Sequence, residues 1–305
     1  MRIAVTGHRG QVVTSLIERG RAAGHDIIAI GRPELDLVNP VSVICALQAA
    51  TPDVIVSAAA YTAVDQAEEE GELAHAINGR GAAAVAQAAK ALDVPLVHLS
   101  TDYVFDGALN RPYVEADPTG PKCVYGASKL EGERAVLVAH HEHSAILRVA
   151  WVYSPFGANF VKTMLRLAGD RDELSVVDDQ LGNPTSAFDI ADGILRVADN
   201  LVSNSDPALR GVFHMTSKGE ASWADFAEAV FAASATRGGA QARVRRITTA
   251  DYPTPATRPT NSRLDCGLIA KVHGVALPDW RQSLQTVIAR LQPAEKLNAC
   301  PRKER

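Results

Sequence analysis

Few cysteines, no long apolar run and no surplus of positive charge mark this chain, and each shortage removes a class of protein. Its four cysteines, Cys45, Cys123, Cys266 and Cys300, show no CxxC pair and no metal-ligand spacing, so neither a disulfide framework nor a zinc site is expected and a reducing cytosol fits best. No stretch reaches the ~18 consecutive apolar residues that mark a membrane-spanning helix. The chain opens MRIAVTG, a strand entering a glycine turn rather than a secretory leader, so the expected location is cytoplasmic, with no membrane partner. A net charge of −4 gives no electrostatic case for nucleic acid. The short basic clusters, Arg243, Arg245 and Arg246 and the tail Arg302, Lys303 and Arg305, read as solvated surface. Internal repeats and low-complexity linkers are also missing.

What remains is an ordinary globular balance, 47% hydrophobic and 22% charged over 305 residues, enough to bury a sizeable core in one large domain or two small ones. The first 150 residues alternate short β-branched runs with alanine-rich stretches, the pattern of a parallel sheet with crossover helices. Strands are expected at 2–6, 27–30, 54–57, 96–100 and 145–148, and helices at 12–23, 41–50, 72–92 and 126–140. After Trp151 the rhythm loosens, a helix is expected near 223–235, and prolines cluster at Pro253, Pro255 and Pro259. The fold class is therefore α/β, a Rossmann-type doubly wound parallel sheet with a smaller C-terminal α+β lobe. Its boundaries are expected at 1–150, with a returning segment near 175–200, and at 151–295; the polar, basic end 296–305 reads as a disordered tail.

The first strand runs into Thr6, Gly7, His8, Arg9, Gly10, Gln11, Val12 and Val13. Backbone amides around Gly7, Arg9, Gly10, Gln11 and Val12, with the helix N-terminus behind them, can receive a pyrophosphate. Val13 stands where a third glycine usually allows close helix–strand packing, and should push the helix slightly away. At the end of the second strand, where an NAD site commonly carries an acid, the chain reads Gly31-Arg32. A guanidinium there can pair with a 2′-phosphate, which favours NADPH and leaves NADH open. Asp36 and Leu37 are candidates for the adenine, and Ala58, Ala59, Ala60 and Tyr61 for a close cofactor approach.

Two later segments carry reaction chemistry. Tyr125 and Lys129 are spaced to share one helix face, so the ammonium is expected near the phenol, lowering its pKa and making it a tuned proton donor. With the stretch Ser100-Thr101-Asp102-Tyr103 at the end of the fourth strand they supply a carbonyl-reducing acid apparatus.

These residues resemble the extended short-chain dehydrogenase/reductase family. Within it the chain closely resembles the dTDP-4-dehydrorhamnose reductases, through AAAYTAVD at 58–65, TDYVFDG at 101–107, YGASKLEGE at 125–133, LRVAWVY at 147–153, DQLGNPT at 179–185, RPTNS at 258–262 and LPDWR at 277–281. The resemblance implies a dTDP-sugar substrate whose C4 ketone is reduced for polysaccharide biosynthesis, with Thr101, Tyr125 and Lys129 catalytic and Lys129 also holding the nicotinamide ribose. It places Val64, Thr101, Tyr103 and Trp151 near the sugar and Asn159, Phe160, Gln180 and Arg258 toward the nucleotide. Related 4,6-dehydratases carry Thr-Asp-Glu; Tyr103 in the third place points to reduction without elimination. A reductase of another nucleotide-linked 4-keto-6-deoxy sugar remains open. So does a non-catalytic protein like the regulatory subunit of methionine adenosyltransferase, which resembles the same family. Homodimers are common among such enzymes, which leaves a homodimer open as well.

Three acidic or histidine-rich spots read as bland. His140, His141, Glu142 and His143 are expected in an exposed loop without metal, Asp178 and Asp179 should face opposite ways, and Glu68, Glu69 and Glu70 should be a solvated helix start. Some relatives bind magnesium at a subunit contact; Ser15 stands where an acid could serve, and no metal is carried over.

Overall fold

The computed structural model describes residues 1–292; the tail expected to be disordered, and Cys300 with it, lies outside the described residues. Five parallel strands, β1 (Arg2–Thr6), β2 (Asp26–Ile30), β3 (Val54–Ser57), β4 (Leu96–Thr101) and β5 (Ser144–Val149), form the sheet in the order β5-β4-β3-β1-β2, and a sixth, Gly211–His214, pairs in parallel with β5. Every residue of β3, β4 and β5 is buried, as expected for strands covered by helices on both faces.

The helices divide between those faces. α1 (Gln11–Ala22) packs against α7 (Ala187–Ser203) on one side, over a core that includes Ile3, Val5, Leu16 and Ile194. On the other side lie α2 (Pro40–Ala50), α4 (Ala82–Leu92) and α5 (Val124–His140), over Ala4, Leu47, Ile55 and Val85. Local chemistry sets the ends: Asn39 caps α2 through the Val41 and Ser42 amides, ahead of Pro40, whose missing N–H costs nothing in the first turn.

The single helix expected at 72–92 is instead three segments. α3 (Gly71–His75) passes through a π-helical stretch, Ala76–Gly81, into α4. That stretch aims Asn78, whose amide accepts the Tyr61 N–H at 2.8 Å and donates to Ser128 Oγ at 3.0 Å, tying the loop after β3 to α5. Alanine-rich periodicity does not distinguish a π turn from an α turn.

After β5 the chain builds a second lobe from α6 (Phe160–Ala168), α8 (Trp223–Ala235) and α10 (Trp280–Leu291), with α9 (Gly267–His273) packed back against the Gly211–His214 strand. Its core gathers Tyr153, Phe226, Phe231 and Trp280. Two sequence expectations need correcting here. Arg246 is not simply solvated: it bonds Asp178, Asp225 and Glu228, fastening the Arg243–Ile247 strand to its neighbours. His140 is not in an exposed loop but is the buried last residue of α5, with Nε2 3.0 Å from the Val94 carbonyl. No metal-competent group of acids, histidines and cysteines occurs among the described residues.

Candidate active site

The chain reverses direction across the sheet between β1 and β3, and a cleft of about 880 Å³ opens beyond the carboxyl ends of the strands, where doubly wound sheets receive their ligands. Thr6 sets this edge: its buried hydroxyl accepts the Ala58 and Ala59 N–H groups, each at 3.0 Å. Gly7 follows with φ of +101°, a conformation only glycine takes readily, and a Cβ there would meet Ala59. No side chain caps the start of α1, and its first backbone bond runs from Thr14 to Gly10. The Gln11, Val12 and Val13 amides are therefore available for an anion. Val13 is itself 2% exposed in the core, and the tight helix–strand approach occurs farther along at Gly20, against Ile27.

The reacting end is carried by β4 and α5. Thr101 ends β4 and its Oγ1 accepts the Tyr103 N–H at 3.3 Å, opening the short 3₁₀ turn Asp102–Val104. α5 reaches that turn closely because Gly126 has no side chain, where a Cβ would strike the Tyr103 carbonyl. The approach brings the Tyr103 and Tyr125 rings to 5.9 Å, edge to face.

Lys129 enters the same cleft, yet its ammonium donates to the Leu99 carbonyl at 2.6 Å rather than engaging the phenol. Burial lowers Lys129 to about 8. Burial also raises Tyr125 above the ordinary phenol range, the Thr101 hydroxyl opposing and Asp102 reinforcing the rise. The expected lowering of Tyr125 by Lys129 is thus not seen without ligand: desolvation outweighs a charge that is spent on a backbone carbonyl.

One turn on, Glu133 forms a two-bonded ion pair with Arg148 of β5, Oε1 to Nε at 2.9 Å and Oε2 to Nη2 at 2.7 Å, and accepts the Ser100 hydroxyl at 2.5 Å. Both partners are buried, Glu133 2% and Arg148 4% exposed. This pair locks β4, β5 and α5 behind Thr101 and Lys129.

The facing wall comes from the second lobe. Trp151, held at φ +45°, stacks on Trp223 with ring centroids 3.5 Å apart and planes within 4°, and Phe160 leans on Trp223 at 4.7 Å. Asn159 Nδ2 donates to Gln11 Oε1 at 3.0 Å, so a residue expected at the cofactor and one expected at the substrate hold each other and join the lobes. Arg258 is fixed by Asp65 at 2.7 Å.

Of the sequence-predicted residues, the glycine turn, Ala58 to Ala60, Val64, Thr101, Tyr103, Tyr125, Lys129, Trp151, Asn159, Phe160 and Arg258 line this cleft. Others do not. Tyr61 turns its hydroxyl to Glu70 at 2.7 Å, and Leu37 is buried beneath Gly81. Asp36 uses Oδ1 on the Val38 N–H at 3.1 Å. Gly31 spends its N–H on His8 Nε2 at 3.0 Å, and Arg32 beside it is exposed. Gln180 is buried behind the wall, accepting the Trp223 indole N–H at 3.1 Å. Nor are the acids at 68–70 merely solvated, since Glu68 accepts the Val124 N–H at the start of α5.

Sequence reasoning passed over Trp223, Asp102 and His8. Trp223 stood inside an expected helix with nothing local to mark it as cleft-facing. Asp102 lay within the TDYVFDG segment, and that was a usable signal.

Residues 1–293 match the family described as RmlD substrate binding domain. A dTDP-4-dehydrorhamnose reductase of Sinorhizobium fredii is 51% identical over 288 residues, covering 94% of this chain and 97% of the relative. A crystal structure of a dTDP-4-dehydrorhamnose reductase from Clostridium acetobutylicum superposes with a TM-score of 0.89 at 37% identity, covering 96% of this chain and 100% of that one. The enzyme of the same name from Bacillus anthracis, solved in complex with NADP, gives 0.87 at 35%, with 95% and 99% covered. Matched nearly end to end in sequence and in fold, the chain belongs to the RmlD substrate binding domain family.

Proposed function

We propose that this chain is an NADPH-dependent reductase that converts the C4 ketone of dTDP-4-dehydro-L-rhamnose to the alcohol of dTDP-L-rhamnose, for polysaccharide synthesis. The observation that carries this reading is the convergence of Thr101, Tyr125 and Lys129 in one cleft whose other end is an anion-ready glycine turn. The Bacillus anthracis relative, solved with NADP, supports the choice of cofactor. No helix among the described residues is long and apolar enough to cross a membrane; a cytosolic location and a homodimer are part of the same proposal. So is the division of labour between a cofactor-binding part, 1–150 with its returning segment, and a substrate lobe, 151–295.

The residues present suit a dinucleotide. The positive-φ Gly7, the small Ala58 and Ala59 and the uncapped start of α1 leave room and donors for a pyrophosphate, and Lys129 would hold the nicotinamide ribose. When bound, NADPH supplies the hydride. The protein contributes orientation, water exclusion and the proton: Tyr125 gives its hydroxyl proton to the oxygen that was the ketone, and Thr101 donates a hydrogen bond to that oxygen. Tyr103 offers no carboxylate to abstract a ring proton, so reduction is favoured over elimination. On the facing wall Trp151 presents an indole to the sugar or base, and Arg258 a cation to the diphosphate.

Initial-rate assays with a panel of nucleotide-linked 4-keto-6-deoxy sugars, using NADPH and NADH in parallel, test the reading. The expected result is fastest NADPH consumption with dTDP-4-dehydro-L-rhamnose. Faster turnover of another keto sugar would reassign the substrate, and no turnover with any of them would favour a non-catalytic role.

A further inference from the structure

Thr101 has one hydroxyl proton, and an ionised Asp102 draws it away from Tyr125 and the cleft. Its Oγ1 donates to Asp102 Oδ1 at 3.0 Å and accepts the Tyr103 N–H. While Asp102 is a carboxylate, Thr101 has only acceptor capacity left for the cleft and cannot donate to a ketone oxygen. Yet the carboxyl is 2% exposed, and its second oxygen, Oδ2, is buried with no hydrogen-bond partner among the described residues. An ionised group so placed is costly; a neutral acid, which needs fewer partners and can itself donate, is far less so.

We propose that Asp102 is a positioning residue that works as a neutral acid, donating its carboxyl proton to Thr101 Oγ1 and so freeing the Thr101 hydroxyl proton to bind the ketone oxygen beside Tyr125. Asp102 keeps its proton through the reaction; the proton delivered to the product is that of Tyr125. This inference rests on the reductase reading above and accounts for the proton that the reading has Thr101 donate.

The surroundings of the carboxyl agree. Burial raises Asp102 to about 6, well above the ordinary carboxylate range, and a ligand that expels water moves it further the same way. The titratable and charged groups facing this corner are Tyr103 in the same turn, Tyr125 and Cys123 at the start of α5, and Arg258, which is engaged by Asp65. Hydrogen bonding from the Ser262 hydroxyl, which also reaches the Leu181 carbonyl at 3.4 Å, and from Thr101 favours the carboxylate, and burial outweighs both. Below its pKa Asp102 is neutral and Thr101 is free; above it the carboxylate recaptures the Thr101 proton. Activity carried by this device therefore falls as pH rises, at a lower pH than any loss from Lys129, which titrates near 8.

The test is the pH profile of kcat/KM, which reports ionisations of the free enzyme, for wild type, Asp102→Asn and Asp102→Ala between about pH 5 and 9. Wild type is expected to fall by about tenfold per pH unit above the Asp102 break. The Asp102→Asn amide can donate to Thr101 at every pH, so that variant should lose the break and overtake wild type above neutrality, while Asp102→Ala should be about tenfold slower than wild type at low pH. NADPH binding, followed by fluorescence, should survive in both variants. A wild-type profile with no fall between about pH 5 and 8, or an Asp102→Asn profile with the wild-type break, overturns the role of Asp102 and leaves the reductase reading standing. Absence of wild-type turnover on every keto sugar overturns the reading instead.

Discussion

The two ends of the cleft are held by different means. At the reacting end the side chains come from β4 and α5 or the turn between them, and the working groups are fixed: Thr101 is 5% and Lys129 4% exposed, and the Glu133–Arg148 pair is buried behind them. The far end is the glycine turn, and outside its lining Gly31, Arg32 and Asp36 lie on the segment between β2 and α2, where Arg32 is exposed and Asp36 spends an oxygen on its own turn. Chemistry that needs atoms placed to a fraction of an ångström rests on strand and helix, whereas the groups proposed to choose the cofactor phosphate sit on a loop.

The sharpest way to break that contrast is to remove one atom from the rigid end. Tyr125→Phe is expected to lower kcat by roughly 10³-fold while leaving NADPH binding within a few-fold, read by steady-state rates and fluorescence titration. Retained activity would take Tyr125 out of its role.

Next is the buried pair behind it. Glu133→Ala strands the Arg148 guanidinium without its partner and should cost about 3–5 kcal/mol in denaturant unfolding. A loss within the range of an ordinary surface substitution would mean that the reacting end is not braced there.

Lys129 should show the opposite sign. Its folded pKa, about 8, lies below its ordinary value of 10.5, so the folded chain holds this proton less willingly than the unfolded one. The penalty is fully present below pH 8 and disappears as pH rises through 10.5. Lys129→Met should therefore raise stability at pH 7 by on the order of 1–3 kcal/mol while abolishing most turnover, and the gain should shrink toward pH 10. Denaturant midpoints across that range check it.

The smallest effect is expected at the loop. Arg32→Asp should shift the ratio of kcat/KM for NADPH over NADH toward NADH by about tenfold, the size of one solvent-exposed interaction between opposite charges. An unchanged ratio would remove Arg32 from cofactor recognition.

The same contrast explains what could be read without coordinates. The five strands of the first half were legible because β-branched runs between glycine and alanine-rich stretches have one common arrangement, and the meeting of Thr101, Tyr125 and Lys129 in one cleft because the motifs that carry them resemble a family that brings them together. Long-range choices were not legible. Gly211–His214 joins β5 as a sixth strand through packing that no local pattern encodes. Trp223 becomes a wall of the cleft only by stacking on Trp151. The direction of the Lys129 ammonium, toward Leu99 instead of Tyr125, depends on the backbone of a neighbouring strand. The turn after β2 hid the fate of Asp36 and Gly31 for the same reason: their partners, a nearby backbone amide and His8, are properties of a loop conformation.

The central claim is that this cleft moves one hydride and one proton to a sugar C4 ketone and nothing else. It is tested most directly by incubating the protein with dTDP-4-dehydro-L-rhamnose and NADPH deuterated at the transferred position, then examining the sugar by NMR. The account predicts dTDP-L-rhamnose with one deuterium at C4 and one NADPH consumed per sugar; unchanged keto sugar, or a dehydrated or epimerised product without deuterium at C4, would contradict it.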